Sequence, residues 1–201
     1  MITTAIQAGG SSSRMGRDKA FVELNGTPLI EHVIRRIANL GDEILIVTNR
    51  LQAYSHLGIR TVPDAVPEAG ALVGLYSALY AAQGDTVLVV ACDMPFLNRA
   101  LLEHQLQLAS RADVVVPLHQ NLYEPLHAVY VRRACLPALE ESLQAGEERV
   151  VSFYPRVRVV PVDEAVLDRL DPSGLSFFNV NTPQDLARAE RLIADGAVTL
   201  E

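Results

Sequence analysis

The chain has 201 residues, 49% of them hydrophobic, and a formal net charge of −7. That length suits one α/β domain, 1–201, with a full core. The negative balance excludes a broad nucleic-acid or anionic-membrane surface, and no apolar run approaches the roughly 18 residues that a membrane span needs.

The start, Met1-Ile2-Thr3-Thr4, lacks the basic residues and long apolar run of a signal peptide, so a cytoplasmic location is expected. Cys92 and Cys135 sit in apolar surroundings without metal-ligand spacing and read as free thiols.

In chain order, Thr3 to Gln7 reads as a buried strand that runs into glycines. Thr27 is placed to cap a helix with Pro28 at its first position, and apolar residues at helical spacing carry it from Leu29 to Leu40, before Gly41. Glu43 to Thr48 is a second strand and Arg60 to Pro63 a short third. A helix over Leu72 to Gln83 follows a glycine-rich entry. Thr86 to Ala91 is the most apolar strand and leads into Asp93-Met94-Pro95. Asn98 caps a helix to about Arg111, and Asp113 to Pro117 is again a strand. Leu126 to Val131 and Val157 to Val162 add strands at less regular intervals, which suggests a mixed edge. Pro183 opens a last helix to about Ala194.

Strands alternating with helices predict a three-layer, Rossmann-like α/β fold, with a mostly parallel sheet and helices on both faces. Ligands of such sheets sit outside the carboxyl ends of the strands. The loops there hold Gly9 to Lys19, Asn49, Asp64 and Asp93.

The first of these loops, Ala8-Gly9-Gly10-Ser11-Ser12-Ser13-Arg14-Met15-Gly16-Arg17-Asp18-Lys19, has the equipment for a triphosphate. Glycines let backbone N–H groups converge on an anion, and the serines add donors. Arg14 and Lys19 can neutralise phosphate oxygens. It is neither a Walker loop nor a dinucleotide loop, because Gly16 is followed by Arg17 and the glycines have the wrong spacing. By composition alone, a flexible turn with solvated charges explains it as well.

The loop closely resembles the G-G-x-S-x-R-M-G-x-D-K signature of nucleotidyltransferases, especially the molybdenum cofactor guanylyltransferases. The likeness continues through Asn25-Gly26-Thr27-Pro28-Leu29-Ile30-Glu31, Gly70-Ala71-Leu72-Val73-Gly74, Cys92-Asp93-Met94-Pro95, Glu124-Pro125-Leu126 and Phe178-Asn179-Val180-Asn181-Thr182-Pro183. Two departures stand out: Gln7 where the family usually has Leu, and Ala71 where its Gly-Pro-Leu-Ala-Gly has proline.

The resemblance implies a nucleotidyltransferase-type fold and transfer of GMP from GTP to the phosphate of molybdenum-molybdopterin, with release of pyrophosphate and Mg²⁺ at the reacting phosphate. Its N-terminal half would bind nucleotide and its C-terminal half the molybdopterin acceptor. Other proteins of molybdenum cofactor biosynthesis and molybdoenzyme maturation would be its partners.

The same resemblance gives the residues roles. Arg14, Lys19 and Asp93 would be catalytic, with Asp93 the Mg²⁺ ligand. Gln7, Ala8, Gly9, Gly10, Lys19, Asn49, Asp64 and Asp93 would bind nucleotide, Gln7 largely through its backbone. Arg149, Asn179 and Asn181 would face the acceptor. Bland readings stand beside these: Asp93 as a turn cap, Lys19, Arg14 and Arg149 as surface cations, and Asn49, Asp64 and Asn181 as turn formers. The five scattered histidines read as surface or packing residues, with His127 near the acceptor region a weak exception.

The Ala8-Gly9-Gly10 form of the loop favours GTP over CTP and ATP, because the second glycine lets a purine lie against the backbone. The alternatives are a cytidylyltransferase acting on molybdopterin or a sugar-like alcohol, another small nucleotidyltransferase, or a non-catalytic nucleotide-binding regulator. The last would be expected to lack Lys19 or Asp93, and both are present.

Overall fold

The computed structural model describes residues 1–9 and 18–199. In chain order its elements are β1 (Ile2–Gln7), β2 (Glu23–Leu24), β3 (Thr27–Pro28), α1 (Leu29–Ile37), β4 (Glu43–Val47), α2 (Leu51–Tyr54), β5 (Arg60–Val62), α3 (Ala71–Ala81) and β6 (Thr86–Ala91). There follow α4 (Arg99–Leu108), β7 (Val114–His119), β8 (Leu122–Tyr123), β9 (His127–Val131), α5 (Arg132–Gln144), β10 (Val159–Val162), α6 (Glu164–Leu170) and α7 (Pro183–Ala194).

The main sheet runs in the order β10-β7-β9-β6-β1-β4-β5, with β8 paired to β7, and β2 and β3 form a small separate ribbon. β1 pairs in parallel with both β4 and β6, so the first strand of the chain is central. Period-two alternation divides the apolar side chains between two faces. Ile6, Ile46, Leu88, Val90, Val115 and Val129 pack on one side with Ile30, Val33, Ile37, Leu101 and Leu102 of α1 and α4. Ala5, Leu45, Val47, Val87, Val89 and Ala128 pack on the other with Leu72, Leu75, Leu79 and Leu139 of α3 and α5. Burying each Leu, Ile or Val among them contributes about 1.5–3 kcal/mol, so both layers are held by the sheet between them.

Three expectations are corrected. The mixed pairing is internal: β9 lies antiparallel between β6 and β7, while the edge strand β10 is parallel to β7. A tight β-hairpin does not make this reversal, because β8 and the loop after it lie between β7 and β9.

Thr27 does not cap a helix with Pro28 at its first position. Both residues are strand, Pro28 precedes Leu29 without any side-chain cap, and the helix ends at Ile37. The ribbon pairing of Leu24 with Thr27 takes Thr27 into an extended backbone. Asn39 has a φ of 61°, which no helix continuing to Leu40 would allow.

The spacing rule also passes over α5 and α6. Pro137 lies inside α5, and Cys135, Ala138, Leu139 and Ser142 bury one face and hold the helix. By contrast, the last helix begins as expected: Thr182 caps it, Pro183 opens it, and Asp185 closes a capping box.

A third apolar cluster decides where the C-terminal segment goes. Val180 and Ala189 pack with Leu24, Leu29 and Phe96, which folds the start of α7 back over the β2–β3 ribbon. Among the described residues, no helix is long and apolar enough to cross a membrane.

Candidate active site

The carboxyl ends of β1, β4, β5 and β6 open into a cleft of about 460 Å³. Its walls include Gln7 at the end of β1 with Ala8 and Gly9 after it, Thr48 to Arg50 after β4, Asp64 after β5, and Cys92 and Asp93 after β6. The parallel ladder continues one step beyond the strands: Ala8 N donates to Val47 O at 2.9 Å, Cys92 N to Gln7 O at 3.1 Å and Thr48 N to Val62 O at 2.9 Å. The loops therefore leave the sheet in fixed register.

Asp93 stands at the floor of this cleft, its side chain 15% exposed and 3.8 Å from Lys19 Nζ. Burial raises its carboxyl above the usual carboxylate range, and the Lys19 ammonium partly opposes that rise. Lys19 also donates to Asn181 Oδ1, across 162 residues of sequence. Val180 N donates to Asp93 O at 2.9 Å, so the segment carrying Asn181 is tied by its backbone to the segment carrying the carboxylate.

At the other end of the cleft, Asn49 and Asp64 bond reciprocally. Asn49 Nδ2 donates to Asp64 Oδ2 at 2.7 Å, and Asp64 N donates to Asn49 Oδ1 at 2.9 Å. They form one exposed clamp across the ends of β4 and β5. The turn role and the ligand role are compatible here, because the pair fixes its own geometry and still faces the cleft.

The structure thus brings Lys19, Asp93 and Asn181 together, and groups Gln7, Ala8, Gly9, Asn49 and Asp64 in the same wall. It does not bring Arg149 to the cleft: that residue is exposed before the turn Val150–Arg156. Asn179 uses its Nδ2 on Phe177 O at 3.0 Å. Gly10 and Arg14 lie outside the described residues.

Sequence reasoning missed Tyr54, Arg50 and the structural part of Asp18. The Tyr54 hydroxyl, on a fully buried ring, donates to Asp18 Oδ2 at 3.1 Å, and Arg50 Nη1 lies 3.5 Å from the same oxygen. Asp18 Oδ1 accepts from Ala20 N and caps the turn that begins at Lys19. Asp18 therefore fixes where Lys19 starts. Nothing in the spacing of Arg50 or Tyr54 signals this; only Asp18's place in the loop signature could have.

His127 is fully buried against Phe177, and neither ring nitrogen has a partner. Burial pushes it down to about 4, so it is neutral near pH 7. It is a packing residue rather than an acid or base of the cleft. Cys92 and Cys135 are both buried free thiols.

A family model described as the MobA-like NTP transferase domain matches residues 4–159. A Desulfosudis oleivorans protein named molybdenum cofactor guanylyltransferase is 34% identical, over 98% of each chain. A Pelotomaculum thermopropionicum protein named a probable molybdenum cofactor guanylyltransferase is 40% identical over 98% of this chain and 95% of that one.

The chain belongs to the molybdenum cofactor guanylyltransferase family of MobA-like NTP transferases.

Among solved structures, the molybdopterin-guanine dinucleotide biosynthesis protein A of Archaeoglobus fulgidus superposes with a TM-score of 0.83 at 29% identity, covering 96% of this chain and 99% of that one. A 4-diphosphocytidyl-2C-methyl-D-erythritol synthase from Anaerococcus prevotii shares the fold, with a TM-score of 0.72 at 15% identity, covering 96% and 98%. This member of the family is a nucleotidyltransferase, and the cleft at the carboxyl ends of β1, β4, β5 and β6 is where its geometry offers a nucleotide site.

Proposed function

We propose that the protein transfers GMP from GTP to the phosphate of molybdenum-molybdopterin, in the cytoplasm. The observation that carries this reading is the pairing of Lys19 and Asp93 in the cleft, with Asn181 of the C-terminal segment accepting a hydrogen bond from the same Lys19 ammonium. The names of the relatives support guanine as the base and molybdopterin as the acceptor.

An acceptor phosphate oxygen attacks the α-phosphorus of GTP. A P–O bond to the acceptor forms, the bond from the α-phosphorus to the bridging oxygen breaks, and pyrophosphate leaves with that electron pair. No side-chain nucleophile is required, because the acceptor phosphate is already anionic. The protein's task is positioning and charge stabilisation. Lys19 neutralises charge that develops at the α-phosphate, Asn181 holds the ammonium from the acceptor side, and Asn49 with Asp64 holds the guanosine end.

Asp93 is the residue that would hold Mg²⁺. Among the described residues, no group of three His, Cys, Asp or Glu forms a ready cage. Mg²⁺ does not need one, since it keeps several waters and takes one or two carboxylates plus substrate phosphate oxygens. A single, mostly buried carboxylate at the cleft floor fits that habit. The bound ion would supply Lewis-acid neutralisation of the phosphates.

The deciding experiment offers equal GTP, CTP and ATP with molybdopterin acceptor and Mg²⁺, and reads which nucleotide is incorporated. GMP should dominate by about a hundredfold, because a wrong base leaves buried polar groups unpaired. Incorporation of CMP at the same rate would replace the guanylyl reading with the cytidylyl one.

A further inference from the structure

The two departures from the family pattern, Gln7 and Ala71, touch. Gln7 Nε2 donates to Ala71 O at 3.1 Å, which links the end of β1 to the first residue of α3. The carboxamide lies across the first turn of that helix. A Cβ built on Gly74 would stand 1.7 Å from Gln7 Nε2, so the side chain occupies the space that glycine leaves. Gly70 caps α3 with φ 143° and ψ 170°, a conformation that side-chain-bearing residues rarely adopt. Gln7, Gly70 and Ala71 all line the cleft.

A glycine in such a conformation has many alternatives in the free chain, so its turn must be held from outside. Proline at the first helical position would do this by fixing φ near −65°. Ala71 does not. We propose that Gln7 is a positioning residue for the nucleotide: its carboxamide pins the Gly70–Ala71 turn, which nothing in the backbone of Ala71 fixes. This rests on reading the cleft as the nucleotide site.

The contribution of Gln7 to folding should be small. It makes one hydrogen bond, but its Oε1 is buried without a partner, and a stranded acceptor offsets about what one bond contributes. The effect of the pin therefore belongs in the fraction of molecules whose turn is ready for nucleotide, not in global stability.

The test uses the whole protein as wild type, Gln7→Met, Ala71→Pro and the double variant, each titrated with GTP and with CTP in Mg²⁺. Methionine keeps length and volume over Gly74 and loses only the polar contacts. Gln7→Met should weaken the preferred nucleotide about five- to tenfold, the range over which one intramolecular hydrogen bond can shift a loop. It should raise the KM for that nucleotide and leave kcat and the thermal midpoint unchanged. Ala71→Pro alone should change little. Adding it to Gln7→Met should restore affinity to within about threefold of wild type, because the proline replaces the lost pin.

Wild-type affinity in Gln7→Met overturns the proposal, and so does a double variant as weak as Gln7→Met. The wild-type ratio of GTP to CTP judges the base assignment separately, and a preference for CTP would sink that assignment while the Gln7 comparison is read on CTP. A wild-type chain that binds neither nucleotide sinks both.

Discussion

The two halves of the sheet handle polar groups differently. Around β1, β4, β5 and β6, the charged and amide side chains at the strand ends pair with one another, Asn49 with Asp64, Lys19 with Asp93 and Asn181, Asp18 with Tyr54 and Arg50, although Thr4 Oγ1 and Gln7 Oε1 are buried without a partner. Around the antiparallel β9, both ring nitrogens of His127 and Oε1 of Gln105 are buried without partners, although Gln105 Nε2 donates to His127 O at 2.8 Å. The first region lines its cleft with charged and amide groups that already hold one another in place. In the second, the unpaired polar atoms of His127 and Gln105 lie away from the cleft lining, so their cost is read in stability rather than in chemistry.

That contrast is breakable. The largest effect is expected from Asp93→Asn, which keeps shape and removes charge: kcat/KM should fall about a thousandfold at saturating Mg²⁺, with an unchanged thermal midpoint. Near-normal turnover would remove Asp93 from the metal site.

In the other half, the titration of His127 should show as a loss of stability in acid. Its folded value of about 4 lies below its ordinary 6.5, so the unfolded chain binds the proton more readily. The stability it contributes is complete above pH 6.5 and is lost as pH falls toward 4, by about 3 kcal/mol, or somewhat over a hundredfold in the folding equilibrium. Denaturant unfolding across that window checks the slope, and His127→Leu should flatten it. An equal slope in that variant would move the titration elsewhere.

Lys19→Met should lower kcat/KM about a hundredfold with little change in stability, a result obtained by steady-state assay beside calorimetry. Activity within a few-fold of wild type would make Lys19 a surface charge. The smallest effect is expected from Asn49→Ala. It opens the clamp with Asp64 and should raise the KM for nucleotide about tenfold while sparing kcat. A fall in kcat instead would place Asn49 at the reacting phosphate.

The parallel half was legible because its signals are local. Alternation, apolar runs and glycines after strands place β1, β4 and β6 and the loops that follow them, the loop signature singles out Lys19, and the Cys92-Asp93-Met94-Pro95 segment after the most apolar strand singles out Asp93. The antiparallel insertion of β9 left no such mark, since a buried strand has the same composition whichever way it runs. Between β9 and β10 no helix is read, although α5 spans Arg132–Gln144 with a proline inside it, and the β2–β3 ribbon is too short for any period. Within the site, pairing was harder to read than position. That Lys19 meets Asn181, and that Gln7 spends its amide on Ala71, depends on contacts across 162 and 64 residues of sequence. Arg50 and Tyr54 carry no motif at all, and their part follows from the burial of one tyrosine beneath Asp18.

The bond from Val180 N to Asp93 O has a consequence for the order in which the molecule comes into being. Chains emerge from the ribosome amino end first, and their early parts fold as they emerge. By the time β9 is made, β1, β4, β5 and β6 can already be paired, with Asn49, Asp64 and Asp93 at their ends. Lys19 and Asp93 nevertheless wait for Asn181, which arrives after every strand of the sheet has been synthesised. A growing chain would thus carry a shaped cleft through much of its synthesis, and the contacts that join Lys19 and Asp93 to the C-terminal segment would form among the last.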